Sequence, residues 1–129
     1  MKIRIAIVDD KSQNRLSLSE KIKFSDDIDI ALTAVNGADF LDQIKALQPN
    51  NQPQVVLMDI EMPVMDGIEA VHIGKQLYPE IKFLMLTVFD DDDKIFEAIK
   101  SGADGYLLKD EKLSVIIECV QQLVEIGGA

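Results

Sequence analysis

Short apolar runs in this chain end on residues suited to phosphoryl chemistry. Ile5-Ala6-Ile7-Val8 ends on Asp9 and Asp10, and Val55-Val56-Leu57-Met58 ends on Asp59. Phe83-Leu84-Met85-Leu86 ends on Thr87, and Tyr106-Leu107-Leu108 ends on Lys109. Crowded carboxylates repel; two unit charges about 4 Å apart do so by roughly 4 kcal/mol at an effective dielectric near 20. Such a cluster calls for a cation, and hard oxygen ligands select Mg²⁺ or a similar ion, which commonly bridges carboxylates to a phosphate. His72 falls in a helical segment and Cys119 near the far end, which argues against zinc. Lys109 suits the oxygens of a phosphoryl group, and the Thr87 hydroxyl can donate to one of them. A carboxylate can itself be the nucleophile, and Asp59, at the end of a central strand, is the natural candidate.

These residues meet only if the runs are neighbouring strands. Apolar runs this short, separated by helix-length segments, read as buried parallel strands. Lys2–Val8 is the first. Ser12 is placed to cap a helix to about Phe24, with Leu18 and Ile22 on one face. From Ile28 to Val35, Ile28, Ile30, Leu32 and Ala34 alternate with more polar positions, as in a half-exposed edge strand. Phe40, Leu41, Ile44 and Leu47 make a helical stripe ended by Pro49. The strand 54–58 leads to a loop with Pro63 and Gly67 and a helix over about 66–77. The strand 81–86 leads to Asp90-Asp91-Asp92-Asp93, whose acids suit a helix start. That helix carries Ile95, Phe96 and Ile99, with Gly102 as its C-terminal cap. A strand near 105–108 precedes a last helix over about 111–126, with Leu113, Ile116, Ile117, Val120 and Val124 at core spacing. Alternating strand and helix predict a flavodoxin-like (βα)5 fold, a doubly wound parallel sheet in the order 2-1-3-4-5. Ligands of such sheets bind outside the carboxyl ends of the strands, where the chemistry-bearing residues fall.

Composition narrows the function. The chain has 129 residues, enough for one domain, and 47% of them are hydrophobic, which excludes a disordered chain. The formal charge of −10 (13 − 23) argues against direct nucleic-acid binding, which needs clustered Lys and Arg. No apolar stretch approaches membrane-spanning length, and the single Cys119 suits a reducing, cytoplasmic setting. Residues 1–126 read as the functional domain and 127–129 as a tail or cut linker.

The set of motifs resembles the receiver domain of bacterial two-component response regulators. The matching pieces are Val8-Asp9-Asp10, the stretch from Met58 through Asp59-Ile60-Glu61-Met62-Pro63 to Asp66-Gly67, Leu86-Thr87, and Gly102-Ala103-Asp104-Gly105-Tyr106-Leu107-Leu108-Lys109. The resemblance implies that Asp59 takes a phosphoryl group from a phosphohistidine on a sensor histidine kinase. It implies that Asp10, Asp59 and the Glu61 carbonyl bind Mg²⁺, with Asp9 acting through water. It implies that Thr87 and Lys109 contact the phosphoryl group and that Tyr106 is an aromatic switch, rotating inward as Thr87 moves. Many receivers have Pro after the lysine; here Asp110 follows, and a cis bond there would cost about 2.5–4 kcal/mol. The segment 105–110 is most similar to receivers of the NarL/FixJ subfamily, which precede a LuxR-type DNA-binding domain. The implied function is a phosphorylation-dependent switch rather than an enzyme, controlling such an output domain, with homodimerisation on phosphorylation as a further expectation. An excised receiver and a stand-alone one both fit. A haloacid-dehalogenase-type phosphatase is disfavoured, because Glu61 stands where that family places a second Asp. A phosphorylation-independent module is disfavoured by the intact set of acids, Thr87 and Lys109. Glu61 and Phe89 lie two positions beyond Asp59 and Thr87. They are expected to flank the path of a hydrolytic water, with the Phe89 ring shielding the phosphate.

Overall fold

The computed structural model describes residues 2–127. The strands are β1 (Ile3–Val8), β2 (Ile28–Ala34), β3 (Val55–Met58), β4 (Lys82–Thr87) and β5 (Gly105–Leu108). They alternate with α1 (Ser12–Ile22), α2 (Gly37–Lys45), α3 (Gly67–Leu77), α4 (Asp92–Ser101) and α5 (Leu113–Gly127). The sheet runs β2-β1-β3-β4-β5, and every pairing is parallel. The doubly wound flavodoxin-like order read from the sequence is the order observed.

Strand side chains alternate between two cores. Ala6, Val8, Val56, Met58, Phe83 and Met85 face one, under α2, α3 and α4. Ile5, Ile7, Val55, Leu57, Leu84 and Leu86 face the other, under α1 and α5. Both faces are covered, so β3 is apolar throughout and β1 and β4 are apolar over residues 5–8 and 83–86. Phe40 and Phe83 meet edge to face, with ring centroids 5.9 Å apart. Gly74 lets α3 close on this pair, since a Cβ there would sit 2.7 Å from Phe83 Cζ.

Several sequence expectations need correction. The β2 residues Ile28, Ile30, Leu32 and Ala34 do not line one face. Ile5 pairs with Ile30 but Ala6 with Leu32, so Ala31 is an extra residue. This bulge turns the strand over: Ile28 joins the α1/α5 core, while Leu32 and Ala34 join the other. Ser12 does not cap α1. Lys11 holds the cap position without a side-chain bond, and the helix ends at Ile22; Phe24 lies beyond it, 90% exposed. Along α4, Phe96 and Ile99 face solvent and Ala98 packs inward. The last helix begins at Leu113 and takes in Gly127; residues 128 and 129 of the expected tail lie outside the described residues.

Other helix ends follow their sequence signals. The Asp91 side chain accepts the Lys94 N–H at 3.2 Å, with Asp92 and Asp93 in the first turn. Asp66 does the same for Glu69 at 2.9 Å. Gly102 ends α4 with φ +113°, a conformation that favours glycine.

Candidate functional site

The strand ends deliver the residues. Asp9 and Asp10 leave β1, Asp59 leaves β3, Thr87 closes β4 and Lys109 leaves β5. Ladder-like bonds run one step past the strands and fix these positions. Asp59 N–H donates to the Val8 carbonyl at 3.0 Å, and Lys109 N–H to the Thr87 carbonyl at 2.8 Å. Gly67 holds Asp59 from behind: a Cβ at 67 would lie 1.9 Å from the Asp59 carbonyl oxygen, and Gly67 N–H donates to Ile60 at 2.7 Å. Only glycine allows α3 to start so close to the Asp59 backbone.

Asp9, Asp10 and Asp59 each offer a carboxylate oxygen, and these lie within 4.8 Å of one another. Asp9 and Asp59 are buried and Asp10 half-buried. Lys109 Nζ stands between two of them, 2.7 Å from Asp9 Oδ2 and 3.1 Å from Asp59 Oδ2. Burial pushes the Asp59 carboxyl above its ordinary value; the Lys109 bond and charge offset part of this, and the Asp9 charge adds to it. Burial alone would lower Lys109, but its bonds and charge pairing with Asp9 and Asp59 win and raise it, so it stays an ammonium. Because folding raises the Asp59 pKa, this group favours the fold below its ordinary value of 3.8. That contribution is lost as pH rises through the folded value. A charged Asp59 is therefore a burden on the fold at neutral pH.

The arrangement fits a divalent cation. Asp10 Oδ1 is buried with no hydrogen-bond partner, and it belongs to the carboxylate cluster. A buried carboxylate oxygen without a donor is expensive unless a cation completes it. Glu61 is exposed beside the cluster, and among the described residues no backbone N–H donates to its carbonyl. A cleft of about 1060 Å³ opens over Asp10 and Asp59, walled by Glu61, Val88, Phe89 and Lys109.

Thr87 and Tyr106 form a second group. Thr87 is fully buried at the end of β4, and its hydroxyl is bonded to neither the Asp59 carboxylate nor the Lys109 ammonium. Its Oγ1 accepts the Phe89 N–H at 3.4 Å, while the Tyr106 hydroxyl donates to the Phe89 carbonyl at 2.6 Å. The backbone of Phe89 thus joins the two residues. Burial, with the charges of Asp91 and Asp90, raises the Tyr106 pKa, so the hydroxyl keeps the proton it donates. Cys119 is half-buried with its pKa raised by burial, and His72 is an exposed helical residue; neither belongs to the site.

Residues 5–121 match the family described as "Response regulator receiver domain". The chain belongs to this family. The receiver is 39% identical over 126 residues to the transcriptional regulatory protein LnrK of Bacillus subtilis, covering 98% of this chain and 55% of that protein. It is 34% identical over 122 residues to the response regulator protein VraR of Staphylococcus saprophyticus, covering 95% and 56%. The chain thus spans about half the length of these curated relatives. A solved DNA-binding response regulator of the LuxR family from Staphylococcus aureus is 27% identical with a TM-score of 0.84, covering 94% of this receiver and 98% of that chain. Among the described residues of the receiver no peptide bond is cis, so Lys109 and Asp110 are joined in trans. No described helix is long and apolar enough to cross a membrane.

Sequence reasoning missed the residues that hold Asp9. Lys11 N–H donates to Asp9 Oδ1 at 2.9 Å, Asn14 Nδ2 to Oδ2 at 3.2 Å, and Arg15 Nη1 to the Asp9 carbonyl at 2.7 Å. The available signal was spacing: Asn14 and Arg15 fall in the first turn of α1, which begins just past Asp9.

Proposed function

We propose that Asp59 is the phosphoacceptor of a signalling switch within a receiver of residues 1–126. A carboxylate oxygen of Asp59 attacks the phosphorus of a phosphohistidine on a sensor histidine kinase. The new O–P bond forms as the N–P bond breaks, and the imidazole leaves with the electron pair. Asp10, Asp59 and the Glu61 carbonyl are the ligands proposed for Mg²⁺, with Asp9 acting through water. When bound, the ion supplies positive charge for the oxygens of the transferring group. Lys109, already an ammonium beside Asp59, neutralises a further oxygen, and Thr87 donates its hydroxyl. Movement of Thr87 would pull on the Phe89 backbone and so on Tyr106, which is the proposed aromatic switch.

The observation that carries this reading is Asp59 at the end of a central strand, in an acid cluster with an unpartnered oxygen and one shared ammonium. The curated relatives are named as transcriptional and response regulators of about twice this length. This supports control of a LuxR-type DNA-binding domain, with homodimerisation on phosphorylation and a cytoplasmic setting as further parts of the proposal. Acetyl phosphate with Mg²⁺ should add one phosphoryl group to the parent by intact mass, and none to Asp59→Asn. Full modification of Asp59→Asn would displace Asp59 from its role.

A further inference from the structure

Asp9 is the most firmly held acid of the cluster, and most of its donors come from one short segment. Lys11 N–H takes Oδ1, while Asn14 Nδ2 and Lys109 Nζ share Oδ2 at 3.2 and 2.7 Å. Arg15, next to Asn14, fixes the Asp9 carbonyl at 2.7 Å. Consecutive residues of α1 therefore hold the side chain and the main chain of the same acid.

Lys109 divides itself between Asp9 and Asp59. A phosphoryl group on Asp59 places new anionic oxygens in the cleft and draws the ammonium toward them. Asp9 then loses its shortest bond. A carboxylate freed in this way can turn about its Cβ–Cγ bond and disturb any water or cation it orients. Asn14 donates to the oxygen that Lys109 would vacate, and an amide carries no charge to be drawn away. Asn14, with Asp59 and Lys109, lines both the cleft and a neighbouring pocket of about 250 Å³ that reaches Leu57, Leu86 and Ile116.

We propose that Asn14 is a positioning residue for phosphoryl transfer, holding Asp9 in place while Lys109 turns from Asp9 to the phosphoryl group. The proposal rests on Asp59 as the acceptor. With acetyl phosphate the Asp59 O–P bond forms, the donor's P–O bond breaks, and acetate leaves with the electron pair; Asn14 supplies no proton.

The test uses Asn14→Leu, which keeps size and removes the donor, and Asn14→Ala. Phosphorylation is followed by intact mass at saturating Mg²⁺ across a range of acetyl phosphate, with thermal unfolding measured on the same samples. The maximal rate should fall about five- to twenty-fold in both variants, with half-saturation and unfolding midpoint near those of the parent. A role confined to bracing α1 would lower the midpoint and spare the maximal rate, which would overturn the proposal. So would variants within about twofold of the parent's maximal rate, or a loss that only tracks the folded fraction by circular dichroism. A parent that takes no phosphoryl group would overturn the Asp59 reading as well. A parent modified normally beside equally fast variants would overturn the role of Asn14 alone.

Discussion

The two ends of the sheet hold similar charged residues and treat them in opposite ways. At the amino end, Lys75 Nζ lies 3.0 Å from Asp104 Oδ2 and donates to the Ile81 carbonyl at 2.9 Å. Asp104 Oδ2 also accepts the Phe83 N–H at 2.8 Å. Arg4 donates to the Gln52 carbonyl at 2.9 Å and takes the Gln54 side chain on its N–H at 3.0 Å. Lys75, Asp104 and Arg4 each meet a fixed partner from another part of the chain. At the carboxyl end, Asp9 and Asp59 share one ammonium, and the neighbouring Asp10 Oδ1 has no partner. The adjoining loop holds a β-branched residue, Val64, at φ 71°, an arrangement that stores about 1–3 kcal/mol of strain. The closed end does structural work. The open end keeps uncompensated charge, which under the proposed function a cation and a phosphoryl group would balance.

The largest break in this contrast should come from Gly67→Ala. A Cβ 1.9 Å from the Asp59 carbonyl cannot be accommodated unless α3 or the Asp59 backbone moves. Urea unfolding should show a loss of about 2–4 kcal/mol, with slower modification of Asp59 in the protein that still folds. An unchanged midpoint would mean that α3 is not wedged against the Asp59 backbone.

Lys75→Met should weaken the closed end alone. The pair is one-fifth exposed, with side-chain exposures of 20% and 21%, so screening limits the loss to about 1–2 kcal/mol. Mg²⁺ affinity, followed by amide shifts around Asp10 and Asp59, should stay at the parent's value. A shift in that affinity would show that the two ends are coupled.

A smaller effect is expected from Phe89→Ala, read as phosphate lifetime. Phe89 lines the cleft with Asp59 and Glu61, half-buried, with Lys94 Nζ 5.6 Å from its ring centroid. Removing the ring should admit water and speed loss of the phosphoryl group several-fold, about 1 kcal/mol in barrier. Decay at the parent's rate would remove Phe89 from that role, leaving Glu61 as the flanking residue to test.

Much of this contrast was legible in the chain itself. Asp59, Lys109 and the Asp9–Asp10 pair stand immediately after apolar runs, so the parallel-sheet reading alone brought them together. The β2 bulge was not legible, because Ala31 suits either face and only pairing with β1 reveals the extra residue. Ser12 suits a cap by type, but the helix begins one residue earlier, with Lys11 at the cap position and Ser12 already helical. Gly67 could be read as loop chemistry, yet its closeness to the Asp59 carbonyl is a tertiary fact. Phe96 and Ile99 keep helical spacing and still face solvent, since Ala98 is the residue α4 turns toward the core. Tertiary packing chose the inward face there, and spacing alone does not record that choice.

The openness of the carboxyl end is tested most directly by thermal unfolding of the parent and Asp59→Asn, each with and without 10 mM Mg²⁺ at neutral pH. Without Mg²⁺ the Asn variant should unfold at the higher temperature, because a buried charge held above its ordinary pKa has been replaced by a neutral amide. With Mg²⁺ bound at a Kd near 1 mM, the parent should gain about 1.4 kcal/mol, roughly 3–6 °C at this chain length, and the variant less than about half of that. An equal gain in both proteins, or none in the parent, would contradict the assignment of Asp59 to a cation-completed phosphoacceptor site.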